Sequence, residues 1–199
     1  MSSYEKPDFW ALKAKKEGYP ARSVYKLEEI DRKFRLLKRG MRVLDIGAAP
    51  GSWSLWVAKR LEGAGFLAAV DLQALAIKAP GANFRFVQGD LYAPEVRAEL
   101  LSLGPFDLVL SDAAPATTGN RLVDQGQSES IVAAVVDYAL ACLAPGGALV
   151  AKIFQGGAEA ALLKRLRLDF AQARGFKPEA CRSESFETYL VATGYKKKA

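Results

Sequence analysis

The sequence predicts an α/β protein, with a mostly parallel seven-stranded sheet and helices on both faces. From residue 41 onward, short apolar runs typical of buried strands alternate with segments of helical spacing. This alternation is the pattern of parallel sheets covered by helices. Several of the runs end on a charged residue, as at the ligand-binding edge of such sheets. Half of the 199 residues are apolar, so a single domain with a sizeable core is expected.

The elements can be assigned in order along the chain. Residues 7–36 show helical spacing in two segments, with Gly18 and Pro20 as breakers between them. Further helices are predicted in "WSLWVAKRLEG" and over residues 124–143 and 157–173. The strands are predicted in "MRVLDIGA", "GFLAAVDL", "NFRFVQGDL", "PFDLVLSDAAP", "GALVAKIF", "KPEACR" and "TYLVATGY".

Positive charge is concentrated near the N-terminus. The net charge is +6, yet residues 43–199 contain sixteen basic and sixteen acidic residues, so the whole excess lies in residues 1–42. Within the single domain we expect a basic helical segment (1–40), a core (41–195) and a short basic tail (196–199). Such a segment attracts nucleic-acid phosphates, although a solvated surface is the alternative.

Composition also limits the chemistry. The chain has no histidine, which excludes Ser-His-Asp and Cys-His catalysis and imidazole zinc sites. Its two cysteines, Cys142 and Cys181, are interpreted as reduced, buried thiols, and no metal-ligand cluster is visible. There is neither an apolar signal segment nor an apolar run long enough to span a membrane. We therefore expect a cytoplasmic protein without a metal or a membrane partner.

Charged residues stand at the predicted carboxyl ends of five strands. In parallel sheets these ends meet at one rim, where ligands bind. We therefore expect these residues to converge on one site: Asp45, Asp71, Asp90, Asp112 and Lys152.

The turn "LDIGAAPGSW" predicts a nucleoside site without a phosphate. Gly47 and Gly51 depart from the G-x-G-x-x-G spacing that brings backbone N–H groups close to a pyrophosphate. Asp71, twenty residues after Gly51, could accept hydrogen bonds from ribose hydroxyls, and Asp90 could accept one from an adenine amino group. An acid-lined rim suits the cationic S-adenosylmethionine, although a purely structural turn is the alternative.

Five motifs, in order, resemble the FtsJ/RrmJ family of RNA ribose 2′-O-methyltransferases, which includes bacterial enzymes that methylate a uridine of 23S rRNA. The resemblance extends from about residue 20 to 195. It implies a Rossmann-like class I S-adenosylmethionine-dependent methyltransferase fold. Ser52 and the loop "ATTGNRLVDQGQ" depart from close family members. The motifs are "ARSVYKLEEID", "DIGAAPGSW", "SDAAP", "VAKIFQG" and "ETYLVATG".

The resemblance also implies which residues do the chemistry. Its Lys-Asp-Lys-Glu tetrad would be Lys26, Asp112, Lys152 and Glu187, with Lys152 as the proton acceptor. Taken singly, each of these has an ordinary explanation, such as a surface lysine or a helix cap, and Trp53 could simply be a core residue. The implied cofactor-binding residues are Gly47, Gly51, Trp53, Asp71, Asp90 and Asp112.

The expected function is methyl transfer from S-adenosylmethionine to a ribose 2′-hydroxyl, at a uridine of 23S rRNA in the large ribosomal subunit, by a monomer. Transfer RNA is the alternative substrate. A small-molecule methyltransferase and a non-catalytic ribosome-assembly factor are further alternatives. A nicotinamide dehydrogenase is disfavoured because the fingerprint lacks its middle glycine.

Overall fold

The computed structural model describes residues 8–116, 118–182 and 185–197. Its helices are α1 (Phe9–Lys16), α2 (Val24–Phe34), α3 (Ser52–Leu61), α4 (Pro94–Ser102), α5 (Arg121–Cys142) and α6 (Ala158–Asp169). Its strands are β1 (Arg42–Ile46), β2 (Phe66–Asp71), β3 (Phe84–Gln88), β4 (Phe106–Ser111), β5 (Leu143–Phe154), β6 (Phe170–Phe176) and β7 (Glu187–Tyr195).

The seven strands form one sheet in the order β3-β2-β1-β4-β5-β7-β6. Strands β1 to β5 run parallel to one another, and β7 is antiparallel to both β5 and β6. The predicted mostly parallel seven-stranded sheet is therefore confirmed. The carboxyl ends of β1, β2, β4 and β5 lie on one rim, together with the beginning of β7.

Helices cover both faces of this sheet, as predicted. Successive strand side chains point to opposite faces, and β1 shows the result. Leu44 packs in a core cluster that includes Leu100 of α4 and Val135 of α5. Its neighbour Val43 packs in a second cluster that includes Ile30 of α2 and Val57 of α3. The sheet thus lies between α2 and α3 on one side and α4 to α6 on the other.

The predicted strand "KPEACR", residues 177–182, is wrong. The sixth strand is residues 170–176 instead, and the preceding helix ends at Asp169. Pairing of β6 with β7 overrides the helical spacing of "LDFAQA". The Glu29 carboxylate accepts the backbone N–H groups of Glu179 (2.7 Å) and Ala180 (2.8 Å). These bonds hold this stretch as a turn, because its N–H groups are not available for a strand partner.

Two further differences concern one helix that was not predicted and the start of another. Helix α4 was not predicted, because its apolar positions are few and only Val96 and Leu100 are buried. Helix α5 begins at Arg121, three residues before the predicted start, and the side chain of the preceding Asn120 caps it.

The cysteine prediction is confirmed. Cys142 and Cys181 are free and buried, and burial raises the pKa of both thiols to about 12. Of the helices in the described part of the chain, none has the length and apolar character needed to cross a membrane.

Candidate active site

The structure brings the four residues of the predicted tetrad together as two ion pairs. Lys26 Nζ lies 2.7 Å from Glu187 Oε1, and Lys152 Nζ lies 3.0 Å from Asp112 Oδ1. Lys152 also donates a hydrogen bond to the backbone oxygen of Asp112 (2.5 Å). All four side chains are at most 15% exposed. Buried charges of this kind occur when they are paired, so the surface explanations for single residues do not apply here.

Sheet topology accounts for this convergence. Asp112 directly follows β4, which pairs in parallel with β5 through Ser111 and Ala151, so it lies beside Lys152. Strand β7 enters on the other side of β5 and begins at Glu187, opposite Phe154. Helix α2 supplies Lys26 from its first turn.

The charges of the site follow from its geometry. Burial alone would raise the pKa of Asp112, but the nearby Lys152 and Lys26 and a hydrogen bond from Tyr189 lower it below its usual value. For Lys26, burial lowers the pKa, but Asp112 and Glu187 outweigh it and raise the pKa above its usual value. Asp112 is therefore a carboxylate and Lys26 an ammonium at neutral pH.

Tyr189 is a site residue that sequence reasoning missed. Its hydroxyl donates a hydrogen bond to Asp112 Oδ1 (2.7 Å), and it pairs with Lys152 across β5 and β7. Burial, together with Asp112 and Glu187, raises the Tyr189 pKa well above 10, so the phenol stays neutral and remains a donor. Alternation along "ETYLVATG" places Tyr189 on the same face of β7 as Glu187, which was the available signal.

The glycine turn after β1 has no room for side chains. Gly47 has φ +76°, and a Cβ there would lie 2.6–2.8 Å from Ala113. Its N–H donates to the Val70 backbone oxygen (2.9 Å). Gly51 has φ +115° at the start of α3, and a Cβ there would lie 2.6 Å from the Ile77 side chain. The turn is thus a close-packed backbone surface next to the residue that follows Asp112.

Asp71 and Asp90 lie at the same rim. Asp71 accepts hydrogen bonds from the backbone N–H groups of Ala49 (2.9 Å) and Gln73 (2.8 Å). Asp90 is exposed and accepts one from Tyr92 N–H (2.9 Å). A carboxylate has about four acceptor positions. These bonds therefore fix the two carboxylates and leave capacity for ligand hydroxyl or amino groups.

Trp53, which the resemblance implies as a cofactor-binding residue, and Asp45, which is predicted at the rim, are both buried. The Trp53 side chain is 2% exposed, donates Nε1–H to the Ser23 backbone oxygen (2.9 Å) and packs near Tyr189, as the core explanation supposed. Contact of Trp53 with a cofactor would have to use its backbone. Asp45 is fully buried and accepts a hydrogen bond from Ser54 (2.7 Å). Within the described residues, its Oδ1 has no partner.

These residues fit S-adenosylmethionine. The glycine turn would allow the cofactor to approach the backbone closely, Asp71 and Asp90 would offer acceptors to its hydroxyl and amino groups, and Asp112 would offer negative charge to its cationic group. No group of three or more His, Cys, Asp or Glu residues in the described part of the chain is arranged to hold a metal ion.

We expect Gly47→Ala to weaken S-adenosylmethionine binding by about tenfold or more, because the new methyl group would displace Ala113 and the adjoining Asp112. Gly40→Ala is the matched control: Gly40 has φ +82°, similar to Gly47, but no atom lies within 4 Å of a Cβ there. Both variants carry a backbone cost of roughly 1–2 kcal/mol. Isothermal titration calorimetry would compare the cofactor affinities of the two variants, and equal affinities would contradict this role of Gly47.

Asp45 gives a pH prediction. Burial raises its pKa from 3.8 to about 7, so between these values the folded state keeps a proton that the unfolded state loses. The contribution of Asp45 to the stability of the folded state is fully present below pH 3.8 and is lost as pH rises through about 7. Over this pH interval the free energy of unfolding of the wild type should fall by up to roughly 4 kcal/mol relative to that of Asp45→Asn. Urea denaturation from pH 4 to 8 measures the difference, with the exposed Asp137→Asn as control. A constant difference would rule out the shifted pKa.

Three comparisons with known proteins agree with this geometry. The family model described as FtsJ-like methyltransferase matches residues 19–195. The chain is 48% identical to "Ribosomal RNA large subunit methyltransferase E" of Treponema denticola, over 98% of both chains. It is 46% identical to the protein of the same name from Oleidesulfovibrio alaskensis, over 95% of this chain and 92% of that one.

Solved structures show the same likeness. A structure assigned as a ribosomal RNA methyltransferase of Plasmodium falciparum aligns with a TM-score of 0.79 at 26% identity, over 89% of this chain and 98% of that one. The MycE methyltransferase of mycinamycin biosynthesis aligns with a TM-score of 0.57 at 20% identity, over 96% of this chain and 50% of that one. The second likeness concerns the fold alone.

Proposed function

The chain belongs to the FtsJ-like methyltransferase family, and we propose that it methylates the 2′-hydroxyl of a uridine ribose in 23S rRNA of the large ribosomal subunit. It is an RNA methyltransferase that uses S-adenosylmethionine as methyl donor. The observation that carries the proposal is the pair of buried ion pairs, Lys26–Glu187 and Lys152–Asp112, at the rim of the sheet. Relatives named for large-subunit ribosomal RNA cover nearly the whole chain, which supports the choice of substrate.

The cofactor supplies a methyl group on a positively charged sulfur. The residues proposed to hold it are those of the acid-lined rim: the backbone of Gly47, Gly51 and Trp53, and the carboxylates of Asp71, Asp90 and Asp112. None of these residues is proposed to move a proton. They bind and orient.

Lys152 is the proposed proton acceptor. A ribose hydroxyl is a weak nucleophile and must lose its proton as the new O–C bond forms, so a base has to lie within hydrogen-bonding distance. Lys152 can accept the proton only in its neutral form. Asp112 and Tyr189 hold the lysine Nζ in one place, because Tyr189 fixes the carboxylate that Nζ contacts.

Lys26 and Glu187 are proposed to position the ribose. Their contact is short, at 2.7 Å, and both side chains are almost buried, so their polar atoms offer a fixed donor and acceptor to sugar hydroxyls. Fixing the attacking oxygen in line with the methyl group accounts for a large part of the rate in such reactions.

A cavity of about 450 Å³ lies next to this pair and is proposed to receive the target nucleotide. Its lining includes Lys26, Glu187, Arg22 and Arg182. Two arginines suit a phosphate next to the ribose. The basic segment of residues 1–40 would extend this attraction to more of the RNA backbone.

The enzyme is proposed to act as a monomer in the cytoplasm. All four tetrad residues come from a single chain, so the proposed site is complete without a partner subunit. The rRNA substrate supports the compartment.

The test is transfer of labelled methyl from S-adenosylmethionine to three acceptors: undermethylated large ribosomal subunits, small subunits and bulk tRNA. We expect label on the large-subunit RNA, in at least tenfold excess over the other two. Label on tRNA alone would keep the chemistry and replace the substrate. Label on no RNA, with the cofactor still bound, would contradict the proposal.

A further inference from the structure

A stacked arginine and phenylalanine lie beside the proposed ribose site. The Arg121 guanidinium carbon is 5.2 Å from the centre of the Phe186 ring. Phe186 in turn meets the Phe154 ring edge to face, with centres 5.0 Å apart. We propose that Arg121 and Phe186, here called the stacking platform, bind the base of the nucleotide whose ribose is methylated. This inference rests on the proposed function and assigns a determinant of RNA recognition within it.

The platform is accessible to a ligand. Arg121 is exposed and Phe186 is half-buried. The two residues that follow Arg121 in α5 are apolar and are exposed as well, Leu122 at 80% and Val123 at 43%. Burial in the core does not explain these side chains. Nucleobases stack on aromatic rings and on the planar guanidinium of arginine, so a flat surface of this composition suits a base.

The platform lies within the length of a single nucleotide from the proposed chemistry. Phe186 immediately precedes Glu187, and both neighbours of Phe186 line the cavity proposed for the nucleotide. Phe154 pairs with Glu187 across the two strands and lies two residues along β5 from Lys152, a rise of roughly 7 Å. A ribose between the two ion pairs would therefore carry its base towards the platform.

Hydrogen bonds hold the two halves of the platform in place. Gln125 of α5 donates to the Gln155 backbone oxygen (2.6 Å), and Gln155 N–H donates to the Phe186 backbone oxygen (2.7 Å). The start of α5 is itself fixed, because Asp124 accepts two hydrogen bonds from Thr118, each of 2.8 Å. A surface held in its binding conformation loses less entropy when the base binds.

The test compares two RNAs with the full-length protein. The first is a large-subunit RNA fragment containing the nucleotide that the wild type methylates. The second is the same fragment without the base at that nucleotide, with its 2′-hydroxyl intact. On the first RNA, Phe186→Leu and Arg121→Ala should lower kcat/KM by roughly 5- to 100-fold, the effect of losing a base stack. On the second, each variant should match the wild type within about threefold. Phe186→Trp, which keeps an aromatic ring at this position, should retain the activity of the wild type on the first RNA.

The control variant is Arg165→Ala, which removes an exposed arginine from α6 and should leave both RNAs unaffected. Cofactor affinity should stay unchanged in the platform variants. Equal losses on the two RNAs, or a loss of cofactor affinity, would overturn the platform while the methyltransferase activity of the wild type stands. If the wild type methylates neither RNA nor any other, the proposed function and the platform fall together.

Discussion

Replacing Lys152 with alanine is expected to lower the rate of methyl transfer to RNA by about 10²- to 10⁴-fold, the usual contribution of a general base. The reason is that Lys152 Nζ lies at the centre of the site, bound to Asp112. Cofactor affinity should change by less than about threefold, because Lys152 is not among the residues assigned to hold the cofactor. Single-turnover kinetics with saturating S-adenosylmethionine measures the chemical step directly.

Two companion variants sharpen this test. Lys152→Arg keeps a cation for Asp112 but cannot accept a proton at neutral pH, so it should be nearly as slow as the alanine variant. Lys164→Ala removes an exposed lysine from α6 and should retain full activity. If Lys152→Arg were as fast as the wild type, Lys152 would be a positioning cation and another base would be required.

Asp112→Ala is expected to have the largest effect on stability, a loss of about 3–5 kcal/mol, because it removes one partner from a buried ion pair. Lys152, only 9% exposed, would keep the backbone oxygen of residue 112 as an acceptor but lose the carboxylate. The buried hydroxyl of Tyr189 would lose its acceptor as well. Chemical denaturation at pH 7 measures the change, and methyl transfer should fall below detection.

The matched control is Asp137→Ala, which breaks an ion pair between side chains that are about half exposed. Exposed pairs contribute roughly 0–1 kcal/mol.

The effect of Asp112→Ala should also depend on pH. Because the folded-state pKa of Asp112 lies below its usual 3.8, its contribution is present above that value and is lost as pH falls through the folded-state pKa. Equal destabilisation by Asp112→Ala and by Asp137→Ala at pH 7 would show that the buried Lys152–Asp112 pair contributes no more to stability than an exposed pair.

Much of the fold was predictable because it depends on patterns that are local in sequence. Apolar runs and their spacing identified β1 to β5 and β7, and sheet topology then required their ends to meet. Strand β6 was missed because its residues continue a helical pattern, and only pairing with β7 makes them a strand. Helix α4 was missed because its apolar positions are few.

The site was predictable to the extent that its residues stand in recognisable motifs. The tetrad followed from the family resemblance, and the structure brings its four members together. The partners that depend on packing were not predictable. Tyr189 reads as an ordinary core aromatic in the sequence, and Asp45 reads as one more acid at the rim. Arg121 and Phe186 are 65 positions apart in the chain, and nothing local indicates that they stack.

The chemical position of the transferred methyl group tests the proposed 2′-O-methylation and the role of Lys152 most directly. Large ribosomal subunits labelled by the wild-type enzyme would be digested to nucleosides and analysed by mass spectrometry. We predict the label on the 2′-oxygen of a single uridine, with Lys152→Ala leaving that position unmodified. Label on a base, or on a ribose that Lys152→Ala still methylates at the wild-type rate, would contradict this prediction.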